Sequence, residues 1–474
     1  MDLWDGENIM DVLETGKVEV IDCGDLLGPI KKFKIERDYK LQLKLKTYSA
    51  PVAREPEPAD NPGRIFINDK KLVLSGGNGG EGLIYGVVVE VESIDYLDEA
   101  VQTSTINHIN YNTGNAAEVH YTFEWLGNFP EGSYIWPTNT ITKDGERIIL
   151  GEPTIRLKST LDSSIYRLES NGFRVTIGGY SVYVARCGDR LETTSTQPGS
   201  ILIIGNPDDY TRDKIRNCIS FALGMPLISL GCSRYDKEQN LISIKAVNPS
   251  SFDGRAWRLF SAPSSPITYT GYNMLNPNAV SELANAVYNN YETYNFRTIL
   301  WKYWHSVVAP MFMAPAYYGA IIESLQKKYE SVFGIEFDSR ILPKKDFKKL
   351  RAVINAATID FPMSSECRKI FIDKLNNANQ APQKLITQRF FQALQLDMGD
   401  KELAAWARRN DAAHGNELPN GDNISLLEET RILKVMLHRT ILKIINGSDS
   451  YIDYTSPYFP ARVLKTSTEK QVPQ

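Results

Sequence analysis

The feature that most constrains this chain is a change of hydrophobic period near its middle. From about residue 16 to 250, apolar residues tend to recur at every second position. Beyond about residue 275 they recur with the three-to-four spacing of a helix face. A strand pattern and a helix pattern bury different stripes, so one layered core does not serve both halves. The expected fold class is therefore α+β multidomain. A β-rich N-terminal half, an antiparallel sandwich or barrel with one inserted helix, precedes an all-α helical bundle. Proline, serine and glycine accumulate in "FSAPSSPITYTGYN" (Phe260–Asn273), which places the boundary there. The expected division is 1–265 for the β-rich region, 275–447 for the bundle, and 448–474 for a polar, loosely ordered tail.

Local signals fill in the first half. "RIFINDKKLVL" reads as two short strands around Asn68-Asp69, and "LIYGVVVEVE" as a strand from Leu83. "VHYTFEWLG" alternates, and "ITKDGERII" carries a Lys-Asp-Gly hairpin turn. "FRVTIGGYSVYVAR" is two runs joined at Gly178-Gly179. "DDYTRDKIRNCISFALG" starts with capping residues and ends at Gly224, as a helix does. In the second half, "VSELANAVYNNYETYNFRTILWKYWHSVV" opens the helical region, and "APAYYGAIIESLQKKYESVFG" places Pro315 in a first turn and Gly334 at a stop. Shorter helices are expected near Lys344–Ile359, Ser364–Asn376, Pro382–Leu396 and Lys401–Arg409, and a long one in Ser425–Gly447.

Composition excludes several classes. The formal net charge of -4 gives no global basic field for holding nucleic acid non-specifically. The five cysteines, Cys23, Cys187, Cys218, Cys232 and Cys367, are scattered and form no CxxC pair, which argues against a disulfide framework or a zinc site. The start, "MDLWDGENIMD", lacks the pattern of a signal peptide, and the longest apolar stretch is interrupted by Pro310 and Pro315. A cytoplasmic location, no cofactor and no metal are expected.

The stretch that carries chemistry is "ARRNDAAHGNE" (Ala407–Glu417). Arg409, Asn410 and His414 fall where a helix meets a loop. Positions four apart on a helix lie about 40° apart, so Asn410 and His414 share a face, and Arg409 can swing back to it. Arginine offers a planar fork that matches phosphate oxygens. Histidine exchanges a proton near neutral pH. Together they suit cleavage of an RNA phosphodiester by its own 2′-OH, with His414 moving the proton and Arg409 holding charge that builds on phosphorus. Transfer in line works best with both a base and an acid, and one chain supplies one such histidine. A homodimer would supply two, which favours a composite site at a two-fold interface.

Arg409-Asn410, three residues, then His414-Gly415 resembles the signature of the HEPN superfamily. By chance this pattern arises on the order of once per thousand chains of this length. The resemblance implies an all-α bundle and a metal-independent endoribonuclease. It also implies an acidic or polar residue on an earlier long helix facing the motif, for which Glu323 in "YYGAIIESLQKKY" is the candidate. The layout is similar to that of the ApeA-type abortive-infection anti-phage proteins. That likeness implies a toxin gated by its front half, a phage-derived protein as trigger and a tRNA or other structured RNA as substrate. The alternative is a non-catalytic HEPN-fold binding or dimerisation module with a protein-recognising β domain.

Other segments have plainer readings. Lys344, Lys345, Lys348, Lys349 and Arg351 cluster in "PKKDFKKLR", a solvated face that could also contact an RNA backbone. Arg431 and His438 fit a looser Arg-x6-His spacing but sit among apolar residues, which favours a structural role. His305 lies among aromatics, and His108 and His120 lie in the β region. "SGGNGGEG" lacks Gly-Lys-Ser/Thr and reads as a hairpin, not a phosphate loop.

Overall fold

The computed structural model describes residues 13, 18–22, 30–38, 41–49, 71–77, 79–94, 100–130, 132, 134–158, 170–187, 197–249, 264–267, 275–334, 340–414 and 423–467. The chain divides into two compact units, Met1–Asn289 and Asn290–Gln474. The first is β-rich and the second mainly helical, as the two hydrophobic periods imply.

The first unit is organised on a ten-stranded antiparallel sheet. With strands numbered along the chain, its order is β1 (Glu19–Asp22), β4 (Lys71–Ser75), β5 (Glu81–Tyr85), β8 (His108–Asn112), β17 (Leu241–Val247), β16 (Ser229–Tyr235), β9 (Tyr121–Leu126), β15 (Gly199–Ile204), β14 (Tyr180–Arg186) and β13 (Gly172–Ile177). A four-stranded sheet has the order β2 (Ile30–Arg37), β3 (Leu43–Ser49), β7 (Ala100–Thr105) and β6 (Val88–Ile94). A small sheet joins β10 (Thr140–Lys143), β11 (Glu146–Ile149) and β12 (Ile155–Lys158). One core cluster takes Leu72, Leu74, Ile84, Phe123 and Trp125 from the large sheet and Ile35, Leu43 and Leu45 from the four-stranded sheet. These sheets thus pack face to face in the manner of a sandwich. Among the described residues β1 and β13 remain the two ends of the large sheet, so it does not close into a barrel.

Turn chemistry explains the hairpins. Asp144 and Gly145 both adopt positive φ between β10 and β11, as do Gly178 and Gly179 between β13 and β14. The glycine-rich "SGGNGGEG" segment joins β4 to β5, with Ser75 opposite Glu81. The single strand expected from Leu83 is instead two, interrupted at Gly86 with φ 67°. β5 belongs to the large sheet and β6 to the four-stranded one, so this break passes the chain from one layer to the other. Of the two strands expected around Asn68-Asp69, the second is β4, and residues 64–70 lie outside the described ones.

Helix α1 (Asp209–Leu223) is the inserted helix, capped by the Asp208 side chain on Thr211 N and ended by Gly224 in the left-handed region. Glu124, on β9, points to α1 and is fully buried there against Arg212 and Arg216. Helix α2 (Pro277–Asn289) was expected to open the bundle. It packs instead on α1 and on β13 within the first unit. Ser281 Oγ accepts from Thr176 N at 2.9 Å and Asn285 Oδ1 from Gly178 N at 3.0 Å, so α2 covers an edge strand whose amides would otherwise be exposed. The division between units therefore falls after Asn289, later than the proline-rich stretch suggested. Local composition marks a loop but does not say which core the following helix joins.

In the second unit α3 (Phe296–Val308) and α4 (Ala314–Phe333) form an antiparallel pair. Asn295 in the left-handed region separates α3 from the turn before it, and Gly334 ends α4 as its spacing implied. α5 (Lys344–Thr358) and α6 (Ser365–Asn377) form a helical hairpin. α7 (Gln383–Ala393), α8 (Asp400–His414) and α9 (Asn423–Ile444) follow. α4, α8 and α9 pack on one another around Ile321, Ile322, Leu325, Ala405, Trp406, Leu433 and Leu437, all buried. α8 runs five residues beyond the expected end at Arg409. Ala412 and Ala413 are strong helix formers and no breaker precedes Gly415.

The tail differs from expectation. β18 (Ser450–Ile452) and β19 (Ala461–Val463) pair, and Tyr451 and Asp453 are fully buried. Arg439 on α9 explains this order, because it donates to the carbonyls of Leu464 and Lys465 and draws the polar segment onto the bundle. No helix among the described residues is long and apolar enough to cross a membrane.

Candidate functional site

The site is built on α4 and α8. Trp406 is buried in the bundle core and fixes one side of the last turns of α8. Arg409 follows one helical step later, so its guanidinium folds back over the Trp406 ring, with Cζ 4.1 Å from the ring centroid. Across the interface α4 presents Gly319 and Glu323, four residues apart and thus on one face. A Cβ at Gly319 would collide with Cδ of Arg409, so the glycine provides the slot in which the arginine stem lies. At the end of that slot Arg409 Nη2 meets Glu323 Oε1 at 2.5 Å.

The electrostatics of this pair are asymmetric. The Arg409 side chain is 10% exposed and that of Glu323 is 26% exposed. Burial lowers the pKa of Arg409 and the Glu323 carboxylate raises it in part, leaving a net downward shift. The group stays a cation near neutral pH, since guanidinium pKa values are far above it. Arg409 Nε is buried and finds no acceptor among the described residues, and the same is true of Trp406 Nε1. The cation is therefore held in place by the Trp406 ring and the Glu323 carboxylate, with its Nε buried and without an acceptor among the described residues.

Asn410 and His414 occupy the last two turns of α8, and the helical spacing puts them on one face. The side chains of both lie outside the described residues. The structure thus brings Arg409 and Glu323 together and carries Arg409, Asn410 and His414 on one continuous helix. A neighbouring ion pair, Arg408 Nε to Glu429 Oε2 at 2.9 Å, ties α8 to α9. Gly319 and Trp406 are site residues that sequence reasoning did not single out. Trp406 carried a signal, since it stands three positions before Arg409. Gly319 carried none, because a glycine inside a helix has many explanations.

The basic group lies on α5, which packs on α6. Lys344, Lys345, Lys348 and Lys349 are exposed. Arg351, seven residues after Lys344, lies within about 20° of it around the helix. It is half-buried and donates to Asn376 Oδ1 of α6 at 3.0 Å. The remaining candidates have structural partners. His438 is fully buried, bonded through Nε2 to the Tyr303 hydroxyl at 2.8 Å, and burial holds its pKa well below the usual histidine range. His305 packs against Trp301 with the rings tilted and 4.0 Å apart, and His108 stacks on Tyr85 at 4.3 Å. His120 lies 3.8 Å from Glu118. Arg216, of the second Arg-Asn pair, is bound to Glu124 and Asp213. Among the described residues no group of three or more His, Cys, Asp or Glu side chains is placed to hold a metal ion.

No family model, curated protein or solved structure matches this chain.

Proposed function

We propose that the helical unit is a metal-independent endoribonuclease of HEPN type, acting as a gated toxin in anti-phage defence by abortive infection. The observation that carries this reading is the Arg409 guanidinium, clamped between Trp406 and Glu323 on the helix that also bears Asn410 and His414. A cation fixed in this way is preorganised for an anion, so little reorganisation is needed when charge builds on a phosphate.

In the proposed reaction the substrate 2′-OH attacks the adjacent phosphorus and the bond to the 5′ oxygen breaks. His414 takes the 2′-OH proton in one copy, and the partner subunit's His414 gives a proton to the departing 5′ oxygen. The products are a 2′,3′-cyclic phosphate and a 5′-hydroxyl. Arg409 stabilises the oxyanion, Glu323 orients Arg409, and Asn410 positions the turn that carries His414. The exposed lysines of α5 supply contacts to the RNA backbone. The β-rich unit restrains the nuclease until a trigger binds.

The test is incubation of the chain with RNA, tRNA included, in EDTA under activating conditions. New ends bearing 2′,3′-cyclic phosphate, absent in His414→Ala, support the reading; full activity of that variant overturns it. The burial of Arg409 favours a second reading, in which the Arg409–Glu323 pair only joins α4 to α8 and the bundle is a binding module. Intact RNA together with a loss of stability in Arg409→Ala would support that reading.

A further inference from the structure

The four-stranded sheet of the first unit has one face on the shared core and one turned outward. Leu43, Leu45, Thr47 and Ser49 of β3 are buried, and Lys44, Lys46 and Tyr48 alternate with them on the outer face. The strand register places Lys34 of β2 opposite Lys46, Lys32 opposite Tyr48 and Glu36 opposite Lys44. On the other side β7 sets Thr105, Thr103 and Val101 against Lys44, Lys46 and Tyr48. The outer face of these three strands thus carries four lysines and one carboxylate, in a chain of net charge -4. Glu36 meets Lys34 at 2.7 Å, and the Lys44 ammonium donates to Thr105 Oγ1 at 2.7 Å. Lys32 and Lys46 lie over the Tyr48 ring, with Nζ 5.9 and 5.7 Å from its centroid.

The needs of the fold do not explain this pattern. Lysine on an edge strand deters pairing with other chains, and that accounts for β2. β3 is not an edge, because it lies between β2 and β7. Lysine is a poor strand former there, and two lysines directly opposite each other repel. The Lys34–Lys46 pair therefore works against the fold, and local conflicts of this kind are expected at functional sites. An anionic ligand relieves the conflict. The lysines stand in rows, about 7 Å apart along a strand and about 5 Å apart across strands, which suits a chain of negative charges. Tyr48 selects among such chains. An unpaired nucleobase stacks on an aromatic ring while its neighbouring phosphates meet cations. A duplex keeps its bases inside and leaves the ring unused. An acidic peptide pairs with the ammonium groups but brings no planar group to the ring. A lipid surface is bound by apolar side chains that enter the acyl boundary, whereas Tyr48 is half-buried among its neighbours.

We propose that the outer face of β2 and β3 binds a single-stranded nucleic acid, with Lys32, Lys34, Lys44 and Lys46 on its phosphates and Tyr48 against a base. This surface belongs wholly to the first unit and uses no residue of the Arg409 site. Binding there requires no cleavage, so this inference and the nuclease reading fail independently.

The experiment is fluorescence anisotropy of the full chain with a labelled 2′-O-methyl oligouridylate of about 12 nucleotides, and with its DNA counterpart. Neither probe has the 2′-hydroxyl that the proposed cleavage uses, so both report binding alone. The logarithm of the association constant should fall with the logarithm of salt at a slope of about -3 or steeper, about -0.7 for each lysine. Lys34→Gln/Lys46→Gln should weaken binding at least about tenfold and make the slope shallower by about 1.4. Its melting temperature should be equal or higher, because the repulsion between the two lysines is gone. Tyr48→Leu should weaken binding about tenfold at an unchanged slope, and Tyr48→Phe should bind as the parent chain does. Absence of binding to both probes at low salt overturns the proposal. So does an affinity that survives Lys34→Gln/Lys46→Gln or Tyr48→Leu, or a preference for anionic vesicles or polyglutamate over the oligonucleotides. If Lys345→Gln/Lys348→Gln on α5 abolishes binding and the sheet variant does not, this inference fails while the nuclease reading stands.

Discussion

Helix α8 presents Glu402 to Arg439 near its start and Arg409 to Glu323 near its end. The first pair is fully buried on both sides. Arg439 Nη1 meets Glu402 Oε1 at 2.7 Å, and its other nitrogens donate to the carbonyls of Asp397, Leu464 and Lys465. Glu402 also accepts from Gly399 N at 2.9 Å. The second pair is partly exposed, has a single ion-pair contact and leaves Arg409 Nε without an acceptor among the described residues. The same two residue types thus serve different ends. A guanidinium whose donors are directed at fixed carbonyls holds chain segments together. One that lies over an indole and meets a single, partly exposed carboxylate is held by fewer fixed partners.

Variants at the two pairs should separate these roles. The largest effect is expected at the buried pair. Arg439→Met leaves Glu402 uncompensated and unties the C-terminal hairpin, so denaturant unfolding should show a loss of about 3–5 kcal/mol. Arg409→Ala should lower RNA cleavage by about 10²–10³-fold, the scale for losing one stabiliser of a transition-state oxyanion, and stability should change far less. If Arg409→Ala instead unfolds the unit as Arg439→Met does, the distinction between the pairs is lost.

Gly319→Ala is a finer test. Alanine favours the helix by about 1 kcal/mol over glycine, yet its Cβ displaces the Arg409 stem. Cleavage should fall about tenfold without loss of stability, and the effect should vanish in an Arg409→Ala background, as a double-mutant cycle would reveal. Glu323→Gln should alter stability by less than about 1 kcal/mol, since the carboxylate is solvent-accessible and its pairing is screened. The smallest effect concerns pH. Burial, then the nearby Lys434, lowers the pKa of His438, so the folded unit holds this side chain neutral. The unfolded chain binds a proton there below about pH 6.5, and stability present above that pH declines as the pH falls, by at most about 1.4 kcal/mol per unit. His438→Gln should flatten this part of the pH–stability curve.

Much of the local structure was legible because its causes are local. Asp208 and Gly224 bracket α1, Gly334 stops α4, and the paired turn residues at 144–145 and 178–179 set their hairpins. The switch at Gly86 and the placement of α2 were not legible. Each depends on which sheet or edge lies nearby in space, and the amino acids themselves read equally well either way. The order of the tail was not legible for a similar reason, since Arg439 on α9 holds the Leu464 and Lys465 carbonyls and Asp453 gathers Ser456 and Arg462 across the hairpin.

The site divides along the same line. The sequence by itself determined that Arg409, Asn410 and His414 share one helix end, since covalent spacing and helical pitch require it. Only the tertiary structure decided that Arg409 lies in the slot over Gly319, stacked on Trp406 and paired with Glu323. Glu323 stands 86 residues away, and that contact arises from the packing of α4 against α8, which is set by the shape of a core that no local pattern describes.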